Sequence, residues 1–136
     1  MCVKFEGKLS KEGKYWAVSV PALDVHTQGK SKKDALLMMK EAVELMIDEK
    51  EVRVSVNPLP ENRFALRAKR PDDDRYLVAL LLKNQRAKHG LSIRQVADRL
   101  NISKNAYAQY EQARAIPSIT KVEEFVYAMN DRAHVV

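Results

Sequence analysis

The stretch Ser92 to Ala113, SIRQVADRLNISKNAYAQYEQA, holds the residues whose types and spacing could do chemistry. Lys104, Asn105, Ala108, Gln109 and Gln112 share one face at helical spacing, with no acid among them. Donors and amides of this kind suit the edges of base pairs. Lysine favours guanine acceptors, and Asn or Gln can pair with adenine in the major groove. Lys104 and Asn105 fall in the first turn, nearest the bases, so they are the first choices for readout. Arg94 and Arg114 flank the face and suit phosphate, with Gln95 and Ser103 beside them at helix starts. The expected chemistry is non-covalent recognition of double-stranded DNA. A solvated helix face has a similar composition, so the weight rests on the elements that would position these side chains.

Those elements are legible. Ser92 with Gln95 forms a capping box that opens a short helix. Val96, Ala97 and Leu100 are its inner side, and Ala97 is small enough for a close helix crossing. Asn101 follows where a left-handed residue is needed, and asparagine is the usual substitute for glycine there. Ile102 is expected to plug the turn. Ser103 caps the next helix, whose inner side is Tyr107 and Tyr110. The spacing is that of a helix-turn-helix. Upstream, a helix is expected from about Asp74 to His89, closed by Gly90.

The first half has a different period. Val3, Phe5 and Leu9 alternate with Lys4, Glu6, Lys8 and Ser10, which reads as a strand with one wet face. Lys11-Glu12-Gly13-Lys14 turns the chain into a second strand with Trp16, Val18 and Val20 on one face, a strand that Pro21 ends. Val25-His26-Thr27 is a candidate short third strand. Ser31 caps a helix to about Lys50, with Ala35, Met39, Ala42, Val43 and Met46 as its apolar stripe, flanked by Leu36 and Ile47. Val52, Val54 and Val56 form a strand that Pro58 and Pro60 break, and Phe64-Ala65-Leu66 reads as a short edge strand. The fold class is therefore α+β: a small antiparallel sheet with one packed helix, followed by an all-α helix-turn-helix domain. The expected division is 1–68 for the first domain, 69–74 for a linker or helix-cap region, and 75–136 for the second.

The chain has 136 residues and a formal charge of +6. Residues 75–115 hold eight Lys/Arg against two Asp/Glu, whereas residues 1–74 hold 14 against 13. The excess thus lies in the segment already chosen on spacing, which favours a polyanion there. No run of 18 apolar residues exists, so no membrane partner is expected. The start, MCVKFEGKLS, lacks the apolar core of a secretory signal, and Cys2 alone allows no internal disulfide. The expected setting is the reducing cytoplasm, at the nucleoid of a bacterium or archaeon. Cys2, His26, His89 and His134 are scattered, so no zinc site and no cofactor are expected.

Leu82 to Asn130 resembles the lambda-repressor-like, XRE-type helix-turn-helix, chiefly over GLSIRQVADRLNISKNAYAQYEQARAIPS and then SITKVEEFVYAMN. Two positions depart from that pattern. Ile93 stands where the family often has a phosphate-contacting glutamine, which passes that contact to Arg94 or Gln95 or removes it. Ala113 stands where the family often has glycine, at a cost of about 1 kcal/mol if its φ is positive. GKYWAVSVPALDVHTQGKSKKDALLMMKEAVELMID in turn resembles the HicB antitoxin domain, through the aromatic strand ending in proline, the Thr-Gln-Gly turn and the DALLMMKEAVE helix. The resemblance implies a degenerate RNase H-like fold without nuclease activity. It also implies neutralisation of HicA, a small RNA-cleaving toxin, and a C-terminal domain that represses the operon.

The expected function is that of a type II antitoxin and autorepressor, binding operator DNA as a homodimer or higher oligomer. No toxin-contacting residue is assigned, although the open strand edge and the loop Ala22 to Lys30 are accessible places. The alternative is a transcription regulator that senses a small ligand. A nuclease is disfavoured: Glu6, Asp24, Asp34, Glu41, Glu44 and Asp48 form no D-x-D or H-x-E cluster, and Asp72-Asp73-Asp74 suits a helix start. No enzyme activity is expected. The terminal His134-Val135-Val136 reads as a frayed tail rather than a strand paired across a dimer.

Overall fold

The computed structural model describes residues 3–130. They divide into two compact units, 3–74 and 75–130. His134-Val135-Val136 and Cys2 lie outside the described residues.

The first unit is a five-stranded antiparallel sheet of β1 (Lys4–Glu12), β2 (Tyr15–Val20), β3 (Val25–Gly29), β4 (Val54–Leu59) and β5 (Arg63–Ala68), in the order β3-β2-β1-β5-β4. One helix, α1 (Lys32–Ile47), packs against it. The β1–β2 loop is Gly13-Lys14, with Glu12 facing Tyr15. Gly13 has φ +60, the left-handed first position of a II′ hairpin turn that matches strand twist. Phe5, Leu9, Val18, Val20, Val25, Val54, Phe64 and Leu66 are buried and meet Ala35, Met39 and Val43 of α1 as the core of this unit.

Two glycines permit this packing. A Cβ on Gly7 would overlap the ring of fully buried Phe64, and one on Gly29 would overlap the Ala35 backbone at the start of α1. Ser31 caps α1 by accepting the Asp34 N–H at 3.1 Å, as the sequence implies. The helix ends at Ile47, earlier than expected, because Asp48 turns left-handed with φ 54.

Three strand expectations need correction. β5 is interior rather than an edge, paired with β1 on one side and β4 on the other. Its Arg-Phe-Ala-Leu-Arg-Ala sequence is too short to display that position by period alone. β4 runs through Pro58 to Leu59, since an edge strand can point the missing donor outward. Val52, although buried, precedes the strand. Met46, expected in the apolar stripe of α1, is 47% exposed, and Leu45 is 78% exposed. Trp16 is only half-buried, with the Lys32 ammonium 4.9 Å from its ring centroid.

The segment before the second unit contains a 3₁₀ turn, Pro71–Asp73, and Asp74 accepts the Val3 N–H at 3.1 Å. The helices that follow are α2 (Asp74–Lys88), α3 (Ile93–Leu100), α4 (Lys104–Glu111) and α5 (Ile119–Met129). Leu77 to Leu82 are all buried in α2. α5 supplies Phe125, Ala128 and Met129 to the core. Tyr107 meets Phe125 edge-on at 5.6 Å between ring centroids, and Tyr110 meets it at 5.2 Å. The aromatic cluster thereby ties α4 to α5.

Candidate DNA-binding surface

Three helix ends of one design fix the geometry of the surface. After α2, the Leu91 N–H bonds to the Arg86 carbonyl and the Gly90 N–H to Ala87. After α3, the Ile102 N–H bonds to Ala97 and the Asn101 N–H to Asp98. After α4, the Arg114 N–H bonds to Gln109 and the Ala113 N–H to Tyr110. Each is a six-to-one bond with a five-to-two bond inside it, which needs one left-handed residue. Gly90 (φ 67), Asn101 (φ 58) and Ala113 (φ 58) are those residues. Ala113 therefore does adopt positive φ in place of glycine.

The starts are equally defined. The Gln95 N–H donates to Ser92 Oγ at 3.0 Å, and the Ser92 N–H donates to Gln95 Oε1 at 2.8 Å, closing the capping box. The Ala106 N–H donates to Ser103 Oγ at 3.1 Å. Val96 and Ala97 are buried where α3 crosses α4. Leu100 and Tyr110 are half-buried, and Ile102 is 37% exposed. Ile102 thus does not plug the turn as expected. Its backbone N–H closes the turn instead, and the side chain remains at the surface.

Lys104, Asn105, Gln109 and Gln112 are exposed and Ala108 is half-buried. Lys104, Ala108 and Gln112 form one row along α4, and Asn105 and Gln109 the adjacent row. Arg94 and Arg114 are exposed. Arg94 and Lys104 come from different helices yet line one recess of about 490 Å³ with Ser92, Ile93 and Arg86. Of the expected contact residues, Gln95 and Ser103 are partly committed: the Gln95 carbonyl oxygen and the Ser103 hydroxyl already accept cap bonds, leaving an amide NH₂ and an O–H for a phosphate.

An ion pair the spacing argument missed holds the recognition helix in place. Arg86 donates from Nε to Glu111 Oε2 at 2.8 Å and from a terminal nitrogen to Oε1 at 2.9 Å; its other terminal nitrogen reaches the Leu91 carbonyl at 2.9 Å. The Glu111 side chain is 4% exposed and that of Arg86 22%. The hydrogen bond to Glu111 outweighs burial and raises the Arg86 pKa further. One signal was available: Glu111 lies four residues after Tyr107 and so on its buried row. The Tyr107 hydroxyl is buried without a hydrogen-bond partner among the described residues. Burial first, and the nearby Glu111 carboxylate second, push its pKa far above the ordinary tyrosine range. Arg99 reaches the Ala128 carbonyl near the end of α5 at 3.0 Å. Arg86 and Arg99 are thus structural cations, whereas Arg94, Lys104 and Arg114 are outward ones.

The acids considered for a nuclease are dispersed. Glu6 pairs with Arg63 at 2.7 Å, Asp24 with His26 at 3.1 Å and Glu44 with Lys40 at 2.7 Å. Among the described residues, no three His, Cys, Asp or Glu side chains are grouped to hold a metal ion. No helix among them is long and apolar enough to cross a membrane.

Residues 82–126 match the family model for the helix-turn-helix. No curated protein matches the chain. The match spans the end of α2, all of α3 and α4, and most of α5. The second unit is a DNA-binding domain of the transcription-regulator type, of the XRE-type that its motif resembles.

Proposed function

We propose that the chain is the antitoxin of a type II, HicAB-like toxin–antitoxin system. In this reading it binds and neutralises a small RNase toxin and represses its own operon through operator DNA. The observation that carries the DNA half is the exposed Lys104, Asn105, Gln109 and Gln112 face, braced by the buried Arg86–Glu111 pair. The toxin half is supported by the resemblance of GKYWAVSVPALDVHTQGKSKKDALLMMKEAVELMID to the HicB domain, a stretch that lies within the separate compact unit 3–74. That unit carries no catalytic step in the proposal.

One helix-turn-helix covers a half-site, so specific binding calls for a homodimer or higher oligomer on a pseudo-palindrome, with recognition helices about 34 Å apart or a multiple of that. The test is titration of DNA upstream of the gene with the full chain. Gln109→Ala changes the preferred sequence, whereas Arg94→Ala weakens binding to every sequence and reduces the salt slope by about 1. If neither changes binding, the face is wrong. Co-expression with the product of the adjacent reading frame tests the toxin half: a stable complex that suppresses RNA cleavage is expected, and free, active partner rejects it.

A ligand-sensing regulator is the second reading. A recess of about 410 Å³ in the first unit favours it, with Leu9, Leu36, Pro58 and Leu59 as apolar walls and Lys32 and Lys33 at its side. A metabolite retained through purification, with no protein partner, would select this reading.

A further inference from the structure

The first unit is almost neutral by count, but one face of its sheet gathers cations. On the sheet face turned away from α1, the register sets Lys4 opposite Arg67 and Lys8 opposite Arg63. All four are exposed. Like charges directly opposite on neighbouring strands repel. Arg63 is relieved by Glu6, which lies between the two pairs and accepts from it at 2.7 Å. Lys4, Lys8 and Arg67 make no ion pair among the described residues.

The remaining side chains of this face add no compensating acid beside them. Lys8 continues across β2 and β3 through Ser19 and His26, and His26 is taken by Asp24. Glu12 lies at the far end of β1 beside Tyr15 and accepts from the Ser10 hydroxyl. α1 is balanced within itself, Lys32, Lys33 and Lys40 against Asp34, Glu41 and Glu44, so the acids that offset the count lie between the elements, among them Asp48, Glu49 and Glu51.

We infer that this open sheet face binds the phosphate backbone of a nucleic acid, independently of the base-reading face of α4. Three unpaired cations, Lys4, Lys8 and Arg67, with the Glu6-paired Arg63 beside them, lie over about 14 Å of strand, a strip that a nucleic-acid backbone with one charge per about 3.4 Å along each strand can follow. Contacts from such cations to phosphate position a nucleic acid and carry no base readout themselves. An acidic protein surface would meet the same charges but would not give the counterion-release slope of a nucleic acid.

The test measures affinity of the full chain for a random 30-base-pair duplex and for a 30-nucleotide single strand between about 50 and 200 mM salt. Lys8→Ala/Arg67→Ala is compared with the charge-matched pair Lys33→Ala/Lys50→Ala, whose side chains lie elsewhere and are also exposed. Each lost phosphate contact lowers the slope by about 0.9 on duplex and about 0.7 on single strand. The inference expects a drop of about 1.8 or 1.4 for the first pair and none for the second. The probe that shows the drop tells whether the face takes double or single strands.

Equal drops for both pairs, or no drop on either probe, overturn the inference. So does a drop accompanied by loss of folding. Relief of like-charge repulsion predicts that the first pair melts no lower than wild type without nucleic acid. Arg94→Ala serves as the contrast: it weakens duplex binding through the second unit whether or not the sheet face binds.

Discussion

Replacing Glu111 with alanine removes the acid that orients Arg86 and leaves a guanidinium with only the Leu91 carbonyl from its former set of partners. Breaking a buried ion pair by removing one partner costs about 3–5 kcal/mol. Arg86 retains 22% exposure and can recover some hydration, so about 2–4 kcal/mol is expected here. A unit of this size is stable by roughly 3–9 kcal/mol at about 0.05–0.15 kcal/mol per residue. Glu111→Ala therefore brings the second unit close to its unfolding threshold. Far-UV circular dichroism during urea titration reads this as an earlier helical transition, while Trp16 fluorescence follows the first unit. The double variant Arg86→Met/Glu111→Leu replaces both charges with apolar volume and recovers most of the loss, because the buried pair itself adds little net stability. A single-variant change below about 0.5 kcal/mol, or a double variant no more stable than Glu111→Ala, would refute the reasoning.

Three further outcomes follow from particular contacts. Ala113→Gly relieves a left-handed alanine worth about 1–2 kcal/mol but removes a buried methyl worth about 0.8 kcal/mol, so thermal melting of the second unit shifts upward by a few degrees at most, and a clear downward shift rejects the strain. Gly7→Ala forces the Phe64 ring to move and lowers stability by about 1–3 kcal/mol in denaturant titration; an unchanged midpoint would mean the β1–β5 packing is wrong. For Glu44, burial raises the pKa, but the Lys40 and Val54 hydrogen bonds and the Lys40 and Arg53 charges together hold it below its usual 4.5. Its contribution is present above 4.5 and is lost as pH falls through the lowered value. Glu44→Gln should therefore flatten the acid limb of the stability curve, measured by melting temperature against pH, and an unchanged limb counts against the Lys40–Glu44–Val54 arrangement.

Local signals carried far in this chain because helix caps and turns are local physics. Ser31, Ser92 and Ser103 each accept the N–H three residues on, where serine at a helix start belongs. Gly90 and Asn101 end their helices left-handed for the reason their types suggest. The alternation of β1 and the row formed by Lys104, Ala108 and Gln112 were likewise written in period. The sequence by itself therefore determined the α+β class, the helix-turn-helix and its outward face.

Tertiary structure decided what depends on partners far along the chain. Whether Phe64-Ala65-Leu66 lies at an edge or inside the sheet depends on where β1 pairs, which no window around residue 65 contains. Glu111 is neutralised by a residue 25 positions away, so its role as brace rather than surface acid appears only when α2 and α4 meet. Ala113 could have avoided positive φ until the closing bonds to Tyr110 and Gln109 required it. The near-neutral charge of residues 1–74 likewise concealed a face on which Lys4 meets Arg67. Charge count is a property of composition, but the local field is set by which side chains a register brings together.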